Sequence, residues 1–88
     1  MNYGLKVDKK AEKFILKQDK KTQKRLFEAV YGLKENPRQQ SNITKLTGYK
    51  NTFRKRIGDF RVVYEILDDV LIVHVLDAGN RGEIYNDW

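Results

Sequence analysis

Cysteine is absent from the sequence, and histidine, proline and tryptophan each occur once. Without a thiol there is no disulfide, no thiolate metal site and no cysteine nucleophile, a usage compatible with a reducing compartment. No stretch approaches the ~20 apolar residues of a membrane-spanning helix. The opening Met1-Asn2-Tyr3-Gly4-Leu5-Lys6 also lacks the apolar core of a signal peptide. A cytoplasmic location with no membrane partner is expected. Also missing are a glycine-rich phosphate loop, a paired-histidine metal box and any Ser/His/Asp set singled out by spacing. His74 lies inside the apolar run Leu71-Ile72-Val73-His74-Val75-Leu76, where a structural role outweighs a catalytic one. No third ligand converges on Asp68-Asp69, which reads as a turn. Neither a metal nor a cofactor is expected.

Eighty-eight residues suit one domain, 1–88, and a chain this short buries only about 60–65% of its unfolded surface. Any chemistry must then sit on the outside of one sheet or helix pair. The formal net charge is +6. That surplus fits a polyanionic partner, nucleic acid or an acidic protein, and equally a solvated lysine-rich surface. Distribution separates two basic regions. Residues 1–40 hold eleven Lys/Arg against five Asp/Glu, whereas 41–88 balance at seven and seven. Within the second half, however, six basic residues between Lys45 and Arg61 meet a single acid, Asp59.

Tyr3, Leu5 and Val7 alternate with Gly4 and Lys6, the period of a short strand. Asp8 can cap a following helix whose apolar stripe is Ala11, Phe14 and Ile15. Polar Gln18 ends that stripe, and Asp19 is a second capping candidate. Leu26, Phe27, Val30 and Leu33 mark another helix that stops before Asn36-Pro37. Lys9, Lys10, Lys13, Lys17, Lys20, Lys21, Lys24 and Arg25 fall on the outer face of this hairpin. Residues 38–51, rich in Gln, Asn, Thr and Gly, read as a loop. The period then changes to two. Phe53 and Ile57 alternate with Arg54 and Arg56, and Gly58-Asp59 turns the chain. Phe60, Val62, Tyr64 and Ile66 form one face of the next strand, with Arg61, Val63 and Glu65 on the other. After Asp68-Asp69, the run Val70 to Leu76 reads as a central strand. The expected fold is α+β: an N-terminal strand, a helix hairpin and a three-stranded antiparallel meander, giving β-α-α-β-β-β with a four-stranded sheet.

Chemistry concentrates in the arginines. Arg54 and Arg56 are two apart, so a strand points both to one face. The turn at Gly58-Asp59 brings Arg61 back alongside them. Guanidinium is a planar fork of donors, always charged and matched to phosphate oxygens. If Arg61 shares their face, three guanidinium groups meet in one place, which costs self-repulsion unless an anion sits there; the plainer alternative is a polar sheet face.

Three stretches carry a resemblance. They are Lys45-Leu46-Thr47-Gly48-Tyr49-Lys50, then Phe53-Arg54-Lys55-Arg56-Ile57-Gly58-Asp59-Phe60-Arg61-Val62-Val63-Tyr64-Glu65-Ile66, then Val73 to Tyr85 with Gly79, Arg81 and Tyr85 at the matching places. Together with the N-terminal strand and helix hairpin, they make almost the whole chain resemble the RelE/ParE toxin superfamily. RelE-like members cut mRNA in the ribosomal A site and are held inactive by a co-expressed antitoxin; ParE-like members poison DNA gyrase without cutting RNA. The resemblance implies a toxin of a type II toxin–antitoxin system, acting as an mRNA interferase. Its partners would be a RelB-like antitoxin, the ribosome and mRNA, with a toxin–antitoxin hetero-oligomer on operator DNA. A gyrase inhibitor and a degenerate member that only binds its antitoxin are the rival readings.

Residue by residue, the resemblance implies that Arg61 stabilises the charged transition state, Arg81 assists the leaving oxygen and Tyr85 orients the nucleotide. Arg54 and Arg56 occupy positions often held by lysine, and Lys50 and Lys55 join as substrate contacts. The replacement of lysine matters, because a lysine of lowered pKa can take the 2′-hydroxyl proton whereas arginine almost cannot. Lys55, Lys50, Tyr85 and Glu83 are the candidate bases. Alternation puts Lys55 on the Phe53 and Ile57 face, so it snorkels from the core side. Trp88 either packs on the sheet edge or anchors an interface.

Overall fold

The computed structural model describes residues 2–88, apart from the side chains of residues 85–87. Strand β1, Gly4–Val7, keeps its alternation: Tyr3, Leu5 and Val7 are half-buried, Gly4 and Lys6 exposed. Helix α1, Lys9–Leu16, follows at once. Asp8 caps it, its carboxylate accepting a hydrogen bond from the Lys10 amide at 3.0 Å, which satisfies a donor that every helix start leaves open. The side-chain amide of Gln18 donates to the Phe14 carbonyl, and that of Gln23 reaches the carbonyls of Leu16 and Gln18. Polar side chains thus close α1 and tie it to helix α2, Lys20–Gly32. Asp19 stands at the α2 N-cap, but only its backbone oxygen serves there, accepting from Gln23 N.

One sheet of five strands follows the order β1-β5-β4-β3-β2, with β2 Ile43–Lys45, β3 Thr52–Ile57, β4 Phe60–Leu67 and β5 Ile72–Asn80. β1 runs parallel to β5, and the other pairs are antiparallel. The α+β order expected from the sequence holds, but the four-stranded sheet is corrected to five. β2 lies inside the stretch read as a loop. Its three residues carry one apolar side chain and show no period; the strand exists through its pairing of Ile43, Thr44 and Lys45 with Lys55, Arg54 and Phe53. The last strand also shifts. Val70 and Leu71 are apolar yet form the turn, with Leu71 at φ 53°, and β5 runs from Ile72 on to Asn80.

Helices α1 and α2 cover one face of the sheet. Phe53, Ile57, Val62, Tyr64, Ile66, Val73 and Val75 there meet Ala11, Ile15, Leu26, Val30 and Leu33. Each large side chain so buried contributes about 1.5–3 kcal/mol before entropy is counted. Tyr64 keeps its hydroxyl satisfied in this core by donating to the Pro37 carbonyl at 2.7 Å, and burial pushes its ionisation far above the ordinary range. In β4–β5 pairing Val63 faces Asp77 and Tyr64 faces Val75, so Leu76 is a bulged extra residue. Without that bulge, strict alternation would drive the Asp77 carboxylate into the helix-side core. With it, Ala78 takes the core position.

The second face is not simply solvated. Leu46, Val63 and Ile84 form a small buried cluster, with Leu76 and Trp88 packed against it. Ile84 comes from helix α3, Arg81–Asp87, which the sequence reading did not anticipate. α3 packs closely over Gly79, where a Cβ would lie in ordinary contact, 3.5 Å from Ile84 Cδ1.

Two predictions concern the β4–β5 turn. A leucine in the left-handed region carries about 1–2 kcal/mol of strain, and Leu71 is 42% exposed, so little burial is at stake. Leu71→Asn should therefore raise unfolding free energy by about 0.5–1 kcal/mol in urea titration, because asparagine tolerates this conformation; a loss of stability would refute the strain. Asp68 accepts hydrogen bonds from both terminal nitrogens of Arg38, at 2.9 and 2.6 Å, and from the Tyr3 hydroxyl at 2.9 Å. These hold its carboxyl below the ordinary 3.8, first through Arg38 and then through Tyr3. The folded value lies below the unfolded one, so the stabilisation is complete above 3.8 and disappears as pH falls through the folded value. Acid titration by circular dichroism should show a shallower acid limb for Asp68→Asn than for the parent; coincident limbs would exclude the clasp.

Candidate nucleic-acid site on the arginine hairpin

The β3–β4 register settles where the arginines go. Arg56 stands directly opposite Arg61, and Arg54 opposite Val63, all on the face away from α1 and α2. Asn42, Ile43 and Thr44 of the β2 segment supply the outer wall, and together these residues line a cleft of about 230 Å³ that contains Arg54, Arg56 and Arg61. The three arginines singled out in sequence do converge.

Each is held differently. Arg56 is exposed, its Nη2 donating to the Asn42 side-chain oxygen at 3.2 Å while its amide donates to the Asn42 carbonyl at 2.9 Å. Arg61 is only 6% exposed. Among the described residues its hydrogen bonds all run through Nη1, to the carbonyls of Gly58 and Phe60 at 2.9 Å each. The guanidinium is thereby oriented by the carbonyls of its own hairpin. Arg54 is half-buried one pair further along β3, between Val63 on β4 and Thr44 on β2. Like charges opposite one another on a sheet repel, and guanidinium cannot relieve this by losing a proton. An anion in the cleft turns that cost into attraction. A phosphodiester has the charge and the planar oxygen pairs that such forks bind.

Arg81 opens α3 at the same end of the hairpin: its amide donates to the Asp59 carbonyl at 2.9 Å, and its side chain is exposed. It is not among the cleft-lining residues. Tyr85 lies in α3, and its side chain falls outside the described residues. Lys50 and Lys55 are not brought to the cleft. Lys50 lines a separate depression with Asn51 and Glu65. Lys55 points to the helix side as alternation requires, donating to the Ser41 carbonyl at 2.9 Å and to the Gln40 side-chain oxygen at 3.4 Å. Burial holds its ammonium below the ordinary lysine value. Glu83 faces a different hollow, between α1 and α3. None of these three candidate bases touches the arginine cleft. His74 pairs its Nδ1 with Glu65 at 3.1 Å, while its buried Nε2 has no partner among the described residues.

Other residues escaped the sequence reading. Asn42 and Thr44 enter the site through a strand too short to show a period. Arg25, assigned to the outer helix face, lies against the hairpin turn: a Cβ on Gly58 would be 2.6 Å from its Nη2. Asp77 is 3% exposed and gathers the Lys10 ammonium at 3.2 Å, the Ala78 amide at 2.8 Å and the Trp88 indole N–H at 2.9 Å. No periodicity marks an aspartate that acts through a bulge.

Known proteins share this family and fold. The family model described as "ParE toxin of type II toxin-antitoxin system, parDE" matches residues 5–85. A RelE-like toxin protein of Escherichia coli is 32% identical over 90 residues, covering 98% of this chain and 93% of the relative. The mRNA interferase toxin RelE of Escherichia coli K12 is 28% identical over 91 residues, covering 99% and 94%. Among solved structures, RelE in the RelE–RelB complex of the archaeon Pyrococcus horikoshii OT3 superposes with a TM-score of 0.81 at 27% identity, covering 93% of this chain and 98% of that one. A free Escherichia coli RelE with two arginines replaced by alanine gives 0.78 at 27% identity, covering 98% and 93%.

Gly58, at φ 59°, is the pivot of the hairpin. Gly58→Ala is expected to cost about 1–2 kcal/mol from the left-handed backbone alone, with a further cost from contact with Arg25. Thermal melts of Gly58→Ala in the parent and in an Arg25→Ala background separate the two contributions. The penalty should be smaller in the second background; equal penalties would remove Arg25 from the account.

Proposed function

Because the chain belongs to the ParE toxin family of type II toxin–antitoxin systems, and is a RelE-like toxin within it, we propose that it is an endoribonuclease cutting mRNA in the ribosomal A site. The observation that carries this reading is the gathering of Arg54, Arg56 and Arg61 on one cleft, beside the hairpin turn from which Arg81 departs. In the proposed reaction the 2′-oxygen attacks its adjacent phosphorus and the bond to the 5′-oxygen breaks. The products are a 2′,3′-cyclic phosphate and a 5′-hydroxyl. Charge grows on the phosphoryl oxygens in the transition state, where Arg54, Arg56 and Arg61 neutralise it, and Arg81 assists the departing oxygen. Tyr85 orients the nucleotide. Guanidinium supplies the positive charge, so the cut is proposed to proceed without a metal ion.

A dedicated base is not essential to a modest rate. A positioned acid or base is worth about 10²–10⁴-fold, while one preorganised donor to developing charge is worth about 10²–10³-fold. Several such donors, with the ribosome fixing the mRNA in line, suffice. The lysines of α1 and α2 would grip ribosomal RNA, with an affinity that falls as salt rises. A RelB-like antitoxin is the proposed partner, acidic where it meets this basic surface, and the pair would bind operator DNA in the cytoplasm. RelE–RelB complexes among the structural neighbours support that pairing.

The test is primer extension on mRNA under active translation. Arg61→Ala and Arg81→Ala should each lower cleavage by about 10²–10³-fold. Equal cleavage by the parent and both variants would reject the assignment. Trapped gyrase–DNA complexes with intact mRNA would transfer the chain to the gyrase-poisoning members of its family.

A further inference from the structure

On the sheet face that carries the arginine cleft stands an aromatic pair that the proposed chemistry does not use. The rings of Tyr49 and Trp88 lie 5.3 Å apart, inclined at 52°. Trp88 is anchored from two sides: its indole N–H donates to the buried Asp77 at 2.9 Å, and its ring packs on the Leu46, Val63 and Ile84 cluster. Tyr49, by contrast, is 41% exposed, in the loop between β2 and β3. A rigid ring thus backs an open one.

Position decides what this pair is for. Val63, under the cluster that holds Trp88, is the direct cross-strand partner of Arg54. Neighbours across a strand pair are about 5 Å apart, so the cluster on which Trp88 packs adjoins Arg54 on the same face of the sheet, while Tyr49 lines its own depression with Lys45 and Leu46. Among the described residues the other four exposed large apolar side chains belong to α1, α2 and the β4–β5 turn, leaving Tyr49 single in this loop between Lys45 and Lys50. A lone ring among cations does not make an apolar groove for a protein helix. Aromatic rings beside a basic track are instead the arrangement that receives unpaired bases.

We propose that Tyr49, backed by Trp88, is a stacking platform for an unpaired nucleobase of single-stranded RNA whose phosphate occupies the arginine cleft. This rests on the reading of that cleft as an RNA site and adds to it a contact with the base. Because every base has a π-face, the platform would add affinity with little sequence preference.

Trp88 is the only tryptophan, so its fluorescence reports on the pair directly. The full-length protein is titrated with a 2′-O-methylated oligouridine, which cannot be cut through its own 2′-oxygen, and with the matched abasic oligomer. The base-bearing strand should quench Trp88 and bind roughly 10–100-fold more tightly than the abasic one. Tyr49→Ala should abolish that difference, and Tyr49→Phe should keep it. Arg61→Ala should weaken both strands alike and leave their ratio unchanged. Equal binding of the two strands by a protein that still cleaves mRNA overturns the platform alone. Binding of neither strand, together with no mRNA cleavage, overturns the nuclease reading and the platform with it. A Trp88 response to an antitoxin peptide but not to RNA makes the pair a protein contact and also overturns the proposal.

Discussion

The alignment of Arg56 with Arg61 across the Gly58-Asp59 turn governs both faces of the sheet at once. Side chains alternate with a period of two, so a slip of one residue would send Arg61 toward α1 and α2 and bring Phe60 and Val62 into the cleft. The turn carries that register. Its glycine takes a backbone conformation that side-chain-bearing residues adopt at a cost, and its carbonyl receives the Arg61 guanidinium. Hydrophobic burial on one face and charge on the other thus enforce the same pairing. Each face checks the other.

Concentrating guanidinium groups costs folding energy, and the surrounding structure offsets part of it. Arg61 is shielded from water yet hydrogen-bonded to carbonyls of its own hairpin, and Arg56 leans on Asn42. β2 provides that asparagine and walls the cleft, so a strand of three residues shapes the site out of proportion to its length. Lysine is treated in the opposite way. Lys55 is drawn beneath the sheet and satisfied by Ser41 and Gln40, apart from the cleft. The anion site is consequently built from groups whose charge does not vary with pH, an arrangement suited to electrostatic stabilisation more than to proton transfer.

The second face is organised by the chain's last residues. α3 begins at the hairpin turn through the Arg81 amide, passes over Gly79 and ends with Trp88 held by Asp77. A bulge at Leu76 makes this possible by turning Asp77 away from the core. Lys10 of α1 also reaches Asp77, so one carboxylate links the first helix, the central strand and the C-terminus. Val63 belongs to the Ile84 cluster and pairs directly with Arg54, so this cluster adjoins the arginine cleft.

Local rules sufficed for much of this in the sequence. Period-two alternation at Phe53–Ile57 put Arg54 and Arg56 on one face, and the Gly58-Asp59 turn returned Arg61 alongside them; that Arg61 shares their face was decided by the β3–β4 register. Asp8 and the short Ala11–Ile15 stripe likewise determined the first helix, and the position of Lys55 followed from the same alternation. Tertiary structure alone decided the rest. β2 has no period of its own and forms only by pairing with β3, while the bulge that reorients Asp77 is a property of two strands in register. Leu71 enters a turn despite its hydrophobicity, because Asp68, Arg38 and Tyr3 tie the chain there. The second apolar cluster joins residues 46, 63 and 84, whose meeting depends on where α3 docks. Interactions within a few residues are written in local pattern; those joining distant segments arise only once the sheet has closed.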